Sequence, residues 1–158
     1  MAHGTPAITL LIRERVPHAV HPYRHDPRSA AYGDEAAAAL GVPADRIFKT
    51  LIASVDRRLV CAVVPVSGRL DLKDLAAAVG GKRAELADAA AAQRATGYVI
   101  GGISPLAQRT TLPVVVDASA LTFPTIYVSA GKRGVQVELA PTDLVWLAKA
   151  TVAAITGP

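Results

Sequence analysis

Cysteine is nearly absent. The 158 residues hold a single one, Cys61, so an internal disulfide and a cysteine-based zinc cluster are both excluded. It stands in the apolar run LVCAVV, where a buried, inert thiol explains it better than a nucleophile. Aromatic residues are scarce too, at 4% against 51% for all hydrophobic residues, so the core has to be assembled from Val, Leu, Ile and Ala. With 19% charged residues and that apolar share, disorder through low hydrophobicity is excluded. No stretch reaches the roughly 18 apolar residues that span a bilayer. The opening MAHGTPAITLLIRER also lacks the basic region and long apolar run of a secretory signal. These absences lead to the expectation of a cytoplasmic protein without a membrane partner. The formal charge of +4 and isoelectric point near 9.5 admit a polyanionic partner, and an ordinary solvated surface equally well.

What is present reads as one domain over residues 1–158, with no linker, charge block or internal repeat. Thr5 and Pro6 open a helix that runs to about Arg15 before Pro17. A short strand is expected over 19–23, then a polar loop, and Asp34 is expected to cap an alanine-rich helix that stops at Gly41. IFKTLIASV and RLVCAVVPV, separated by Asp56-Arg57-Arg58, form a hairpin. Helices follow over 71–79 and 88–96. YVIGG and LPVVVDA are expected as strands, and TIYVS and GVQVEL as a second hairpin. Pro141 opens a closing helix with Leu144, Leu147, Ala148 and Val152 on one face. Hairpins interspersed with short helices do not alternate as βαβα units. The expected class is therefore α+β, with a curved, mostly antiparallel sheet and helices around it.

Three segments can carry chemistry. Gly101 and Gly102, within ATGYVIGGISPLAQ, allow close backbone approach and can aim N–H groups at a carbonyl or oxyanion. A Gly-Gly bend at a sheet corner accounts for the same pair more simply. Lys49 lies in the apolar strand segment FKT, and alternation puts it on the face of Leu51. That favours a substrate or phosphate contact over a snorkelling edge lysine. SAGKRG (129–134) lacks the spacing of a phosphate loop and has strands on both sides, so it reads as a basic hairpin tip whose Lys132 and Arg133 suit an RNA backbone. Other constellations fail. His18, His21 and His25 have neither a metal-binding helix motif nor a cysteine partner, so no metal is expected. Ser29, Ser54, Ser67, Ser104, Ser119 and Ser129 occur without the G-x-S-x-G elbow, so a serine hydrolase triad is not expected.

The strings FKTLIASV, AVVPVSGRLDLKDLA, AQRATGYVIGGISPL, PTIYVSAGKRG and VEL, taken in order and spacing, resemble the YbaK-type Cys-tRNA(Pro) deacylases. The likeness runs from about Thr5 to Ile155, and YRHDPRSAAYGDEAAAALG fits as well. The resemblance implies a mixed, mainly antiparallel barrel-like sheet surrounded by helices. It implies an enzyme without a cofactor, acting in trans on cysteine esterified to proline tRNA, with prolyl-tRNA synthetase as the expected neighbour. By the same likeness Tyr23, Tyr32, Lys49, Thr50, Gly101, Gly102, Ser104 and Ser129 surround the aminoacyl end. Tyr23, Lys49, Gly101 and Gly102 are the residues expected to carry catalysis. Many relatives have Asp where this chain has Gln136, so the amine subsite is expected to differ; Ala130 likewise replaces a usual glycine.

The resemblance also suggests how such an enzyme selects. A small pocket separates amino acids differing by one methylene by only about 1–3 kcal/mol. The substrate's own thiol can supply the attacking atom and leave as a thiolactone, while the protein contributes geometry and charge. Two other readings fit the same residues: an editor of a different misacylated tRNA, and a non-catalytic tRNA-end or nucleotide-binding module.

Overall fold

Capping chemistry sets most element boundaries in the computed structural model, which describes residues 4–157. The Thr5 hydroxyl accepts from the Ile8 N–H at 3.2 Å and Pro6 takes the first turn, so α1 (Pro6–Arg13) starts where expected. β1 (His18–Pro22) follows. α2 (Tyr32–Leu40) corrects the expectation: it begins before Asp34, after Ala31, whose side chain makes no capping bond. Asp34 and Glu35 sit in its first turn, where negative charge suits the helix N-terminus, and Gly41 ends it at φ 66°.

β2 (Phe48–Val55) and β3 (Arg58–Pro65) form the first hairpin. Its turn is tighter than expected, because Arg58 already pairs with Val55 and only Asp56 and Arg57, both at positive φ, lie between. After β4 (Arg69–Leu70), Asp71 caps α3 (Leu72–Ala78). The short strand β5 (Ala84–Leu86), absent from the sequence reading, precedes α4 (Ala89–Thr96), which Asp88 caps.

YVIGG is a turn, not a strand. Gly102 N–H donates to Val99 C=O at 2.9 Å and Ile100 N–H to Gln93 Oε1 at 3.0 Å, so its donors are committed locally. β6 (Val114–Asp117), a 3-10 turn at Ala118–Thr122, β7 (Ile126–Ser129) and β8 (Val135–Leu139) follow. α5 (Pro141–Ala148) stops at Lys149, which is left-handed at φ 51°. Val152, expected on that helix, instead belongs to β9 (Thr151–Ala153), and β10 (Thr156–Gly157) closes the order.

The larger sheet runs β5-β2-β3-β6-β9, a three-stranded sheet runs β1-β8-β7, and β10 pairs with β4. Among the described residues β3-β6 and β6-β9 are parallel ladders and the others antiparallel, the α+β arrangement expected. The barrel does not close: one parallel bridge, Ile47 to Tyr127, is what joins the two larger sheets. β3 is buried on both faces, which is why its sequence is continuously apolar. Cys61 and Val63 face one cluster, with α1, α5 and the three-stranded sheet. Val60, Ala62 and Val64 face another, under α3. Cys61 is fully buried and burial pushes its thiol up to about 12. Among the described residues no helix is long and apolar enough to cross a membrane.

Candidate active site

One edge of β2, between β5 and β7, carries the site. β5 pairs with β2 only at Ala53, Ser54 and Val55, and one further bond, Ala87 N–H to Ile52 C=O at 3.0 Å, ends that edge. Ile47, just before β2, forms the isolated bridge to Tyr127 of β7, and β5 and β7 leave a stretch of the β2 edge between them. A cavity of about 380 Å³ opens in the gap, over apolar residues that include Ile52, Ala92 and Ile103. Its wall brings together Tyr32, Lys49, Thr50, Gly101, Ser129 and Gln136, which are spread over more than 100 positions of the chain.

Two of these residues present unpaired polar atoms. Thr50 Oγ1 and Gln136 Oε1 are both buried without a hydrogen-bond partner. A buried polar atom left unsatisfied costs about 1–3 kcal/mol, so each marks a place where a ligand group can bond. Lys49 is partly exposed and forms no salt bridge with any described residue, leaving its ammonium available to an anion. Ser129 is 8% exposed.

Three sequence-derived candidates lie outside this wall. Gly102 is packed elsewhere: a Cβ there would stand 2.6–2.8 Å from the backbone of Lys132 and Arg133. Its N–H is taken by Val99, so it cannot also serve as an oxyanion donor. Ser104 is fully buried, and its hydroxyl accepts from Leu106 N–H at 3.2 Å while its carbonyl accepts from Gln108 Nε2 at 3.0 Å. That turn shapes the loop. Tyr23 stands behind the wall, half-buried, with its N–H donating to Gly134 C=O at 2.8 Å. Burial raises its hydroxyl pKa, against hydrogen bonds from Gly134 and the Gln136 side chain. Since Gln136 Oε1 is unpartnered, the amide nitrogen makes that bond, which turns the oxygen away from Tyr23.

The sequence reading missed a clamp. Arg133 Nε donates to Ile100 C=O at 2.7 Å, and the guanidinium lies 5.0 Å from the centre of the Tyr32 ring. The ring also packs against Gly101, where a Cβ would fall 2.6–2.7 Å from ring carbons. Gly101 has φ 87°, in the region that favours glycine. The basic hairpin tip thus holds the glycine turn and Tyr32 in one piece, and Arg133 is committed to that structure. Nearby, His25 bonds Glu35 at 2.6 Å, and that bond first, then Asp26 N–H, holds the Glu35 pKa below its usual range. The pair ties the 24–31 loop to α2.

The other two described histidines, His18 and His21, are structural. His18 Nδ1 bonds Val16 C=O at 2.7 Å, and His21 Nε2 bonds Glu138 at 2.9 Å. Glu138 also accepts from the Thr125 hydroxyl at 2.5 Å and from Arg46 at 3.2 Å. Arg46 stacks 5.3 Å from the Tyr127 ring centre, so this network rivets the Ile47–Tyr127 bridge between the sheets.

The family model for the aminoacyl-tRNA editing domain matches residues 27–147, which contain all six wall residues. The chain belongs to the aminoacyl-tRNA editing domain family. This editing domain is 36% identical over 155 residues, covering 96% of its own length and 93% of the relative's, to a protein of Enterococcus faecalis, EbsC, whose name provisionally assigns it as a Cys-tRNA(Pro)/Cys-tRNA(Cys) deacylase. Among solved structures it is similar to the hypothetical protein APE2540, at 27% identity and TM-score 0.86, covering 97% of this chain and 100% of that one. It is also similar to a provisional trans-editing enzyme for prolyl-tRNA synthetase, at 25% identity and TM-score 0.81, covering 98% and 99%. The editing domain is therefore an enzyme of the aminoacyl-tRNA deacylase type.

Proposed function

We propose that this editing domain removes cysteine from mischarged tRNA, with Cys-tRNA(Pro) as the principal substrate, and that the substrate's thiol is the attacking group. One observation carries the reading. The cavity offers unsatisfied polar groups for an aminoacyl ester, and although Asp34 also lines it, none of the hydroxyls of Tyr32, Thr50 and Ser129 is hydrogen-bonded to a described histidine or carboxylate that would activate it. Cys61 lies in the core, outside the wall. A serine-type or cysteine-type acyl-enzyme has no starting point there.

Cysteine carries its own nucleophile. A thiol of pKa near 8.5 is a few per cent thiolate at neutral pH, whereas a hydroxyl is essentially all protonated. The thiol gives its proton to solvent, the sulfur bonds to its own acyl carbon, and the ester C–O bond breaks. The departing ribose oxygen takes a proton from water, freeing the tRNA, and water then opens the thiolactone to cysteine. Confinement of sulfur and carbonyl at attack distance is the protein's contribution, and well-oriented intramolecular geometry lowers such barriers by several kcal/mol.

In this reading Lys49 holds the terminal phosphate or ribose. Gln136 Oε1 and Thr50 Oγ1 accept from the substrate's ammonium and ribose hydroxyl groups. Gly101 and Tyr32 form the wall that folds the side chain back, and Ser129 closes the opposite side. Tyr23 acts through Gln136. Prolyl-tRNA synthetase is the proposed neighbour, in a cytoplasmic setting. Incubation of the purified protein with cysteinyl-, alanyl- and seryl-tRNA tests the proposal: release of cysteine in preference to the other two is expected. Tight tRNA binding without release from any of them contradicts it.

A further inference from the structure

The cavity meets β2 edge-on. Five consecutive residues of that strand, Phe48, Lys49, Thr50, Leu51 and Ile52, border it. Successive side chains of a strand point to opposite faces of its sheet, so the cavity reaches both faces. Phe48 and Ile52 join the core cluster shared with α1, α5 and the three-stranded sheet, which puts Thr50 on that face. Leu51 and Ala53 pack with the cluster under α3, which puts Lys49 on the opposite face.

Leu86 shares the face of Lys49. In the β2–β5 ladder it is paired with Ala53, and residues directly opposite each other in an antiparallel pair project to one side. Among the described residues the exposed large hydrophobic side chains are Ile12, Leu86, Val99, Leu121 and Trp146, and of these Leu86 alone borders the cavity. It is 58% exposed and belongs to none of the core clusters. A leucine standing singly on an open surface needs no explanation. At the mouth of a cavity, beside the half-buried Leu51, Ala87 and Ile100, it completes an apolar lip. Apart from Lys49, the charged side chain on the cavity border is Asp34, which belongs to α2 and not to the lip.

The lip and the lysine are spaced for one ligand. Ala53, the partner of Leu86, lies four residues along β2 from Lys49, about 13 Å at the usual strand rise. The phosphate and base of a single nucleotide bridge that span once the flexible lysine reaches in. We infer that Leu86, with Leu51 behind it, seats the base of the terminal adenosine of the tRNA. The nucleotide then lies along one face of β2, its phosphate toward Lys49, while its ester crosses the strand edge to Thr50. The inference rests on the deacylase reading above, and it gives cysteine carried on a nucleotide an advantage over a cysteine ester without a base.

Leu86→Ala and two competitors test it. The variant should melt within about 2 °C of the parent, because the side chain is mostly exposed. Its KM for Cys-tRNA(Pro) should rise about 10-fold, the scale of losing one leucine's apolar contact, with a smaller effect on kcat, and Leu86→Met should restore most of the loss. With the unmodified protein, adenosine 5′-monophosphate should inhibit deacylation about 10-fold better than ribose 5-phosphate, which lacks the base, and Leu86→Ala should erase that difference. Equal inhibition by the two competitors in the unmodified protein, or no inhibition by either, overturns the inference and leaves the deacylase reading intact. So does a Leu86→Ala variant that keeps the parental KM or the parental preference for the adenosine compound. Failure of the unmodified protein to release cysteine would overturn both.

Discussion

Replacing Gly101 by Ala perturbs the centre of the clamp, and its consequence can be worked from the geometry. The new methyl group would lie 2.6–2.7 Å from three carbons of the Tyr32 ring, distances that real Cβ contacts do not reach. The ring has to move, because Gly101 is itself anchored between Ile100, whose carbonyl binds Arg133, and Gly102, packed on the hairpin backbone. Holding alanine at φ 87° costs about 1–2 kcal/mol. Displacing Tyr32 from Arg133 forfeits about 0.5–1 kcal/mol of cation–π attraction, and pushing the ring off its rotamer costs about 0.5–1.5 kcal/mol. The expected loss is about 2–4.5 kcal/mol, or roughly 4–18 °C in melting temperature for a domain of this size. Turnover of Cys-tRNA should fall about 100-fold, since a wall residue moves by about 1 Å at the attack geometry. Calorimetry and single-turnover deacylation measure both. A double-mutant cycle with Tyr32→Ala isolates the clash: the two changes together should cost less than their separate effects added. An alanine variant that melts within 1 °C of the parent, or strict additivity in the cycle, would refute the clamp.

Lys49→Ala should cut deacylation strongly and change stability by no more than about 0.5 kcal/mol, because Lys49 has no ion pair with any described residue to lose; a normal rate removes it from the mechanism. Alkylating reagents should leave the folded protein active and Cys61 unlabelled, since that thiol is fully buried with its pKa pushed up to about 12; rapid inactivation would contradict this. The Glu138 pKa is held low, first by the Thr125 hydroxyl and, after an opposing effect of burial, by His21. The unfolded chain therefore binds the extra proton first as pH falls. Glu138 contributes its full stabilisation above the unfolded carboxylate value of about 4.3 and loses it as pH drops through the lower folded value. Acid melts of Glu138→Gln should accordingly show a weaker pH dependence below pH 4.3 than the parent; identical slopes would show that the rivet carries no linkage.

Elements with local signals were legible in the sequence. Thr5, Asp71 and Asp88 cap the helices they precede, because a cap is a bond between residues three positions apart. Asp34 misled for the same reason: an acidic residue in the first turn has the same composition as a cap. β5 and β9 escaped notice because three-residue strands have no readable period. They exist through partners elsewhere in the chain, Ala53 to Val55 for β5 and Val115 to Asp117 for β9. The site shows the same division. Lys49, Thr50, Gly101, Ser129 and Gln136 could be named from motif likeness. Which of them share a cavity depended on how strands distant in the chain are placed along one edge of β2. Gly102 and Ser104 looked equivalent to Gly101 in sequence and differ only in what their N–H and hydroxyl groups already bond.

The decisive comparison uses one tRNA charged in parallel with cysteine and with serine, which differ only in sulfur against oxygen. The account predicts release of cysteine at a rate that rises with pH toward the thiol pKa near 8.5, and release of serine slower by orders of magnitude. Equal rates for the two esters, or a cysteine rate indifferent to pH between 6 and 8, would mean that the attacking atom comes from elsewhere.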